Sequence, residues 1–247
     1  MKNNREKDLK NLFLLLLERN GIDESLFPLN WVYESSNSNL EKIADLAEKM
    51  TLNGQEVQPK TTIDSIAKIP LYSIFEAIKK EKKEAFSFSY KVPTKSIVLN
   101  VNSLEETKSL FPKQGEVKFD FPIKEKLKKD ISNISSQSEK ATIETYLSIL
   151  AKHTANVSSN TVFKDVSFYD HFKTVLAISI CLYDLEVDNI EDSTSPILLI
   201  GGDISGIQNF IYDIASKKAS QNLKGRSFYI QLLTDSILSQ LLEKLDL

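Results

Sequence analysis

The stretch ILLIGGDISGIQNFIY, residues 197–212, changes period half-way along, and that change decides how the chain is read. Ile197-Leu-Leu-Ile200 is a continuous apolar run of the kind a buried strand carries. Gly201-Gly-Asp-Ile-Ser-Gly206 supplies a glycine-rich turn, and Ile204 to Ser216 regains a helical spacing. Glycine lets the backbone turn off a strand without a Cβ clash, and a helix start leaves amide hydrogens free to face an anion. Asp203 could hold a metal ion or a ribose hydroxyl, and Ser205 could contact a phosphate. The same two side chains could equally be the helix caps of a tight βα turn. The spacing matches neither GxxxxGK[ST] nor GxGxxG. Just downstream, Lys217-Lys-Ala-Ser-Gln-Asn-Leu-Lys-Gly-Arg226 carries four cations and no acid, which suits either a phosphate contact or a solvated connection. A final helix is predicted from about Ser227 to Leu245, with Leu238, Leu241, Leu242 and Leu245 on one face.

Upstream the chain reads as helices. An acidic linker, EVDNIEDSTSP (186–196), marks the main boundary, so a domain over 1–190 is expected before a second over 191–247. Before the linker, an apolar helix is predicted from about Ser167 to Tyr183. Leu9, Leu12, Phe13, Leu16 and Leu17 mark an amphipathic first helix that Gly21 ends. Ser38-x-x-Glu41 and Ser136-x-x-Glu139 read as capping boxes. The first opens a helix facing inward through Leu40, Ile43, Ala44, Ala47 and Met50; the second, one with Ile143, Tyr146, Leu147 and Leu150 inside. Ile123, Leu127, Ile131 and Ile134 share another face. Pro70 followed by Leu71, Ile74, Phe75 and Ile78 predicts a further helix, with Lys79 to Glu84 as its solvated end. Alternation at 86–90 and 117–121, with a β-rich run at 97–101, predicts a small strand insertion over about 86–121.

Composition narrows the chemistry. The 247 residues are 41% hydrophobic and 26% charged, close to a soluble globular average, with a net charge of −3 that exerts no global pull on nucleic acid or membrane. One cysteine, Cys181, excludes a disulfide framework and a cysteine-based zinc site. Two histidines, His153 and His171, leave little for a histidine-rich metal centre. In Asp165-Val-Ser-Phe-Tyr-Asp-His171, Ser167 and Asp170 read as a helix cap and His171 as a structural hydrogen-bonding residue, with a metal or general-base role as the alternative. No signal peptide or spanning segment is legible, so a cytoplasmic protein is expected.

IGGDISGIQNFIYDIASKKASQNLKGRSFYIQLLTD resembles the first palm segment of the large subunit of type III-A CRISPR–Cas effector complexes. DVSFYDHFKTVLAISICLY is similar to the helix just upstream of that palm. Looser matches at IADLAEKM (43–50) and KIPLYSIF (68–75) follow the order of the family's N-terminal helical domain. The resemblance implies a mostly helical α+β chain: a degenerate histidine–aspartate-type helical domain, then the start of a ferredoxin-like palm. In that family a histidine–aspartate domain cuts single-stranded DNA. A palm pair converts ATP into cyclic oligoadenylate, with Mg²⁺ or Mn²⁺ on the GGDD motif of the second palm.

This sequence departs from the pattern twice. It contains no His-Asp dipeptide, so the nuclease centre is expected to be missing. Ile204 stands where the second acid of GGDD would be, and the sequence ends at Leu247, so the second palm is expected in another chain or to have been lost. Carried over residue by residue, Gly202, Asp203, Ser205, Gly206 and Gln208 would line the nucleotide pocket, with Lys224, Gly225 and Arg226 as a basic edge. No catalytic residue and no metal ligand is expected on this chain. The implied partners are the missing palm, other type III effector subunits, and CRISPR RNA and target RNA through the complex, with no membrane. The alternative is a non-catalytic helical scaffold that docks other subunits.

Overall fold

The apolar run Leu12–Leu17 lies buried in the C-terminal half of α1 (Lys2–Arg19). In this computed structural model the described residues are 2–33, 38–51, 62–66, 68–69, 71–73, 90–92, 113–114, 122–135, 138–159, 164–185, 190, 195–212 and 219–244. The chain divides into two units, Met1–Ile197 and Leu198–Leu247. Among the described residues it is mostly helical, and no helix is long and apolar enough to cross a membrane.

α1 is the hub of the first unit rather than an amphipathic surface helix. Leu14 and Leu15 are buried along with Leu12, Phe13, Leu16 and Leu17 of the predicted face, because α2 (Ser38–Thr51), α5 (Glu139–Thr154) and α6 (Phe168–Tyr183) all pack against it. A helix that is apolar all round belongs inside. Gly21 ends it as expected: its φ of 80° puts it in the left-handed region, Ile22 N donates to Leu17 O at 2.9 Å and Gly21 N to Glu18 O at 3.0 Å. Leu40, Ile43, Ala44 and Ala47 turn the inner face of α2 toward the core, while Met50 at its end is exposed. Ile123, Leu127 and Ile131 do the same for α4 (Ile123–Ile131), which follows the single turn α3 (Ile63–Ile66). Tyr146 and Leu150 are buried on α5.

Helix starts and one element type differ from expectation. Glu139 does begin α5, but Ser138 caps it, its hydroxyl accepting from Ala141 N at 3.2 Å; Ser136 lies outside the described residues. α2 begins at Ser38 itself, which makes Ser38 its first helical residue and not the residue before it; position 37 lies outside the described residues. Leu71, read as helical, instead starts β1 (Leu71–Tyr72), which pairs antiparallel with β2 (Tyr90–Val92) in the register Leu71↔Val92. Tyr72 N also donates to Lys164 O at 2.8 Å, and such pairing outweighs a local periodicity. β3 (Lys113–Gln114), which no alternation announced, completes the order β1-β2-β3. The helical positions Ile74, Phe75 and Ile78, the charge run 79–84 and the predicted strands at 97–101 and 117–121 lie outside the described residues, as does 86–89.

α6 begins within a residue of its predicted start, capped by Ser167. Ser167 Oγ accepts from Asp170 N at 3.0 Å and donates to Asp170 Oδ2 at 2.7 Å, the cap read from the sequence. Replacing Ser167 with Ala should cost about 1 kcal/mol. A thermal melt followed by circular dichroism should fall by roughly 2–4 °C; an unchanged midpoint would mean the cap contributes nothing.

The second unit corrects the strand reading outright. Residues 195–203 form no strand, and Leu198, Leu199 and Ile200 are 82%, 93% and 76% exposed. A strand needs a neighbour for its ladder, and the described residues offer this run none. Of the predicted helix 204–216, residues 207–212 form α7 (Ile207–Tyr212), 204–206 are non-helical, and 213–216 lie outside the described residues. α8 (Ala219–Lys244) starts eight residues before its predicted origin and takes in Lys224, Gly225 and Arg226, so part of the presumed basic connection is helix. Leu238, Leu241 and Leu242 are on α8 as predicted, but exposed.

Candidate functional site

The glycine turn owes its shape to one residue. Gly206 has φ 78°, a conformation L side chains resist, and its carbonyl accepts the first helical bond of α7, from Phe210 N at 3.1 Å. Gly201, Gly202 and Gly225 sit in ordinary backbone regions, and a Cβ built on any of the four glycines would meet nothing within 4 Å. Within its own unit the turn is therefore an open rim and not a closed cradle. Gly202, Asp203, Ser205 and Gln208 are exposed. Neither Asp203 nor Ser205 makes a side-chain hydrogen bond among the described residues, so the cap alternative for these two finds no support there.

On α8, Lys224 and Gly225 are exposed, while Arg226 folds back onto α7. Its Nη1 donates to Phe210 O at 2.5 Å, and its guanidinium lies 5.3 Å from the centre of the Phe210 ring. The Tyr229 ring stands 5.9 Å from that of Phe210, tilted by 39°. Gly206 and Phe210 are four residues apart on one helical face, about 6 Å along the axis. The fold thus links Arg226 to the glycine turn through Phe210, while the side chains of Lys224 and Gln208 make no hydrogen bond or ion pair among the described residues. Phe210 and Tyr229 escaped the sequence reading. Their signal was present as an aromatic four residues after Gly206 and another three after Arg226.

The remaining candidates lie in the first unit. Asp170 is held by Ser167, and burial alone pushes the His171 imidazole down from its ordinary range. His153 Nε2 pairs with Asp130 Oδ2 at 2.8 Å, an oxygen that also accepts from Lys152 Nζ at 2.7 Å. Burial of the His153 ring outweighs the carboxylate and lowers its pKa, while Lys152 and then His153 hold Asp130 below its usual value. This pair is 23 residues apart in sequence, so no motif could announce it. Among the described residues no three His, Cys, Asp or Glu side chains converge to hold a metal ion.

Residues 196–247 match the family model for Csm1 subunit domain B, the segment that holds the turn and Arg226. Over 291 aligned residues the chain is 28% identical to a Cas10/Csm1 protein of subtype III-A from Methanocaldococcus jannaschii, covering 98% of this chain and 34% of that one. The chain is thus similar to type III-A Cas10/Csm1 subunits. The Cas10/Csm1 of Enterococcus italicus is 28% identical over 200 residues, 72% of this chain and 25% of the relative. That of Mycobacterium tuberculosis is 35% identical over 97 residues, 34% of this chain and 12% of the relative. All three Cas10/Csm1 relatives are named as single-strand-specific deoxyribonucleases of a CRISPR system, and the chain spans about a third of their length or less.

Proposed function

We propose that this chain is a part of a type III-A CRISPR effector large subunit that works in the cytoplasm in antiviral defence. Its first unit is a histidine–aspartate-type helical domain without the nuclease pair, and its second is the beginning of a ferredoxin-like palm. That palm is one half of an ATP-binding pair for cyclic oligoadenylate synthesis. Its partners are the second palm, the other effector subunits and, through them, CRISPR RNA and target RNA. The observation that carries the reading is a coincidence of position: the Csm1 domain B match begins at 196 and takes in the glycine turn and Arg226, which the residues nominate by their own chemistry.

A nucleotide phosphate suits this surface better than a metal does. Gly206 bends the chain so that its neighbours lie open, and Lys224 extends from α8 with no ion pair among the described residues. Asp203 stands without a second carboxylate, so the described residues do not form a divalent-ion site and no metal-dependent step is assigned to them.

Incubated alone with ATP and Mg²⁺ or Mn²⁺, the purified chain should yield no cyclic oligoadenylate and leave single-stranded DNA uncut. Robust product by chromatography would sink the half-site reading. Combined with a chain that carries a GGDD palm, it should bind ATP, and Ser205→Ala or Lys224→Ala should each weaken that binding roughly tenfold, the effect of losing one bond to a charged group. The second reading, a docking scaffold, is favoured by the apolar residues exposed along α8, among them Phe228, Leu232, Leu238 and Leu241. Unchanged ATP affinity in both variants would select it.

A further inference from the structure

We propose that Tyr229, Phe210 and Arg226 form a stacking platform for the base of a nucleotide bound at the second unit. The choice of ligand rests on the nucleotide reading above; the platform itself rests on side-chain geometry. Two rings from different helices, 5.9 Å apart, are held in one place by a guanidinium that lies over one ring and bonds the backbone beneath it. Phe210 and Tyr229 are nevertheless 42% and 56% exposed. An aromatic pair whose only purpose was to join α7 to α8 would bury these faces against each other. The tilt of 39° leaves them splayed and open.

Stacking is the interaction such faces offer, because every nucleobase has a π-face and the gain needs no matched hydrogen bonds. Arginine strengthens it: the planar cation polarises the rings it covers and keeps further N–H donors for a phosphate or a ribose. The electrostatics are of the right sign. From Ser195 to Thr234, among the described residues, Lys224 and Arg226 face a single acid, Asp203. Lys224 precedes Phe228 by one helical turn, so a cation and a third exposed aromatic flank the pair. A protein partner would be expected to cover aliphatic and aromatic positions alike. Here the cations gather at the aromatic end of α8, between Lys224 and Tyr229, whereas the aliphatic stretch Ile230 to Leu242 carries only Asp235.

Saturation-transfer NMR on the full chain with ATP tests this, because it detects weak binding and reports which ligand protons touch protein. The two adenine ring protons should take up more saturation than the ribose protons. In Tyr229→Ala the adenine signal should drop several-fold and ATP affinity should weaken about tenfold. Tyr229→Phe should behave as the parent, and Phe210→Leu, which keeps apolar bulk but loses the π-face, should resemble Tyr229→Ala. Binding of inorganic tripolyphosphate, followed by phosphorus line widths, should be the same in all four. If ATP binds but the adenine signal and affinity survive in both Tyr229→Ala and Phe210→Leu, the platform is overturned and the nucleotide reading stands. Joint loss of ATP and tripolyphosphate in Tyr229→Ala would show that the ring only shapes the fold, and also overturns it. Absence of any transfer to ATP from the parent chain overturns the platform, while the nucleotide reading is decided separately by the ATP titration with the GGDD palm supplied.

Discussion

Phe13→Ala should lower the stability of the first unit by about 3–5 kcal/mol, the usual cost of emptying an aromatic site in a core that collapses only in part. Phe13 is fully buried on α1, and three rings meet it edge-on: Tyr146 at 5.4 Å, Phe172 at 5.9 Å and Trp31 at 6.2 Å. Those contacts join α1 to α5, to α6 and to the loop before α2, so one side chain ties together four segments distant in sequence. Tyr146 depends on the same arrangement, since its hydroxyl donates to Leu26 O at 2.7 Å from within the core. The cavity would leave this hydroxyl paired but its ring unsupported, and the loss should exceed simple transfer of a phenyl group. In a unit of this size each kcal/mol moves the melting midpoint by roughly 2–4 °C, so a fall of about 10 °C is expected in far-ultraviolet circular dichroism. Phe13→Leu, which keeps much of the volume, should lose roughly a third as much. A shift under about 2 °C in the alanine variant would mean that α1 is not the hub.

What the sequence disclosed, and what it withheld, follows the range of each interaction. Ser167 and Gly21 act within one turn of their own helix, so residue type and spacing were enough to place the start of α6 and the end of α1. Leu14 and Leu15 were missed because burial on every side of a helix is decided by the neighbours that surround it. Leu71 has a local pattern that suits a helix, yet its partner is Val92, twenty-one residues on. Ile197–Ile200 fails for the opposite reason: its pattern suits a strand, but no described strand pairs with it. At the candidate site, a turn before α7 was legible from the glycines, though not that Gly206 alone takes the left-handed conformation. The clasp of Arg226 on Phe210 depends on how α8 returns past α7, which no spacing encodes.

The junction of α1 and α2 should answer to pH through a residue that the sequence hid among ordinary surface charges. Arg19 donates to Asp45 at 2.6 Å, bonds Glu41, and lies 3.6 Å from Glu48, so one guanidinium serves three carboxylates. Burial works against its charge, but the bonds to Asp45 and Glu41 prevail and hold its pKa above the ordinary value. Asp45 and Glu41 keep contact with water; the Glu48 side chain is only 4% exposed, and its Oε2 has no hydrogen-bond partner among the described residues. Burial, set against the pull of Arg19, raises the Glu48 pKa above its usual 4.5. A raised value means that the folded state holds the proton more tightly than the unfolded one. The contribution of Glu48 is therefore fully present below about 4.5 and is lost as pH rises through the higher folded value. Arg19→Met removes the opposing cation, leaves a buried carboxylate alone, and should cost about 2–4 kcal/mol near pH 8. Near pH 5 the loss should be smaller, because protonation relieves the stranded charge. Adding Glu48→Gln to Arg19→Met should restore much of the stability at pH 8, a coupling expected of groups that touch. Urea denaturation of the parent, both single variants and the double variant at the two pH values closes the cycle. Equal losses at pH 5 and pH 8, or strictly additive variants, would show that Glu48 is not the group that senses pH.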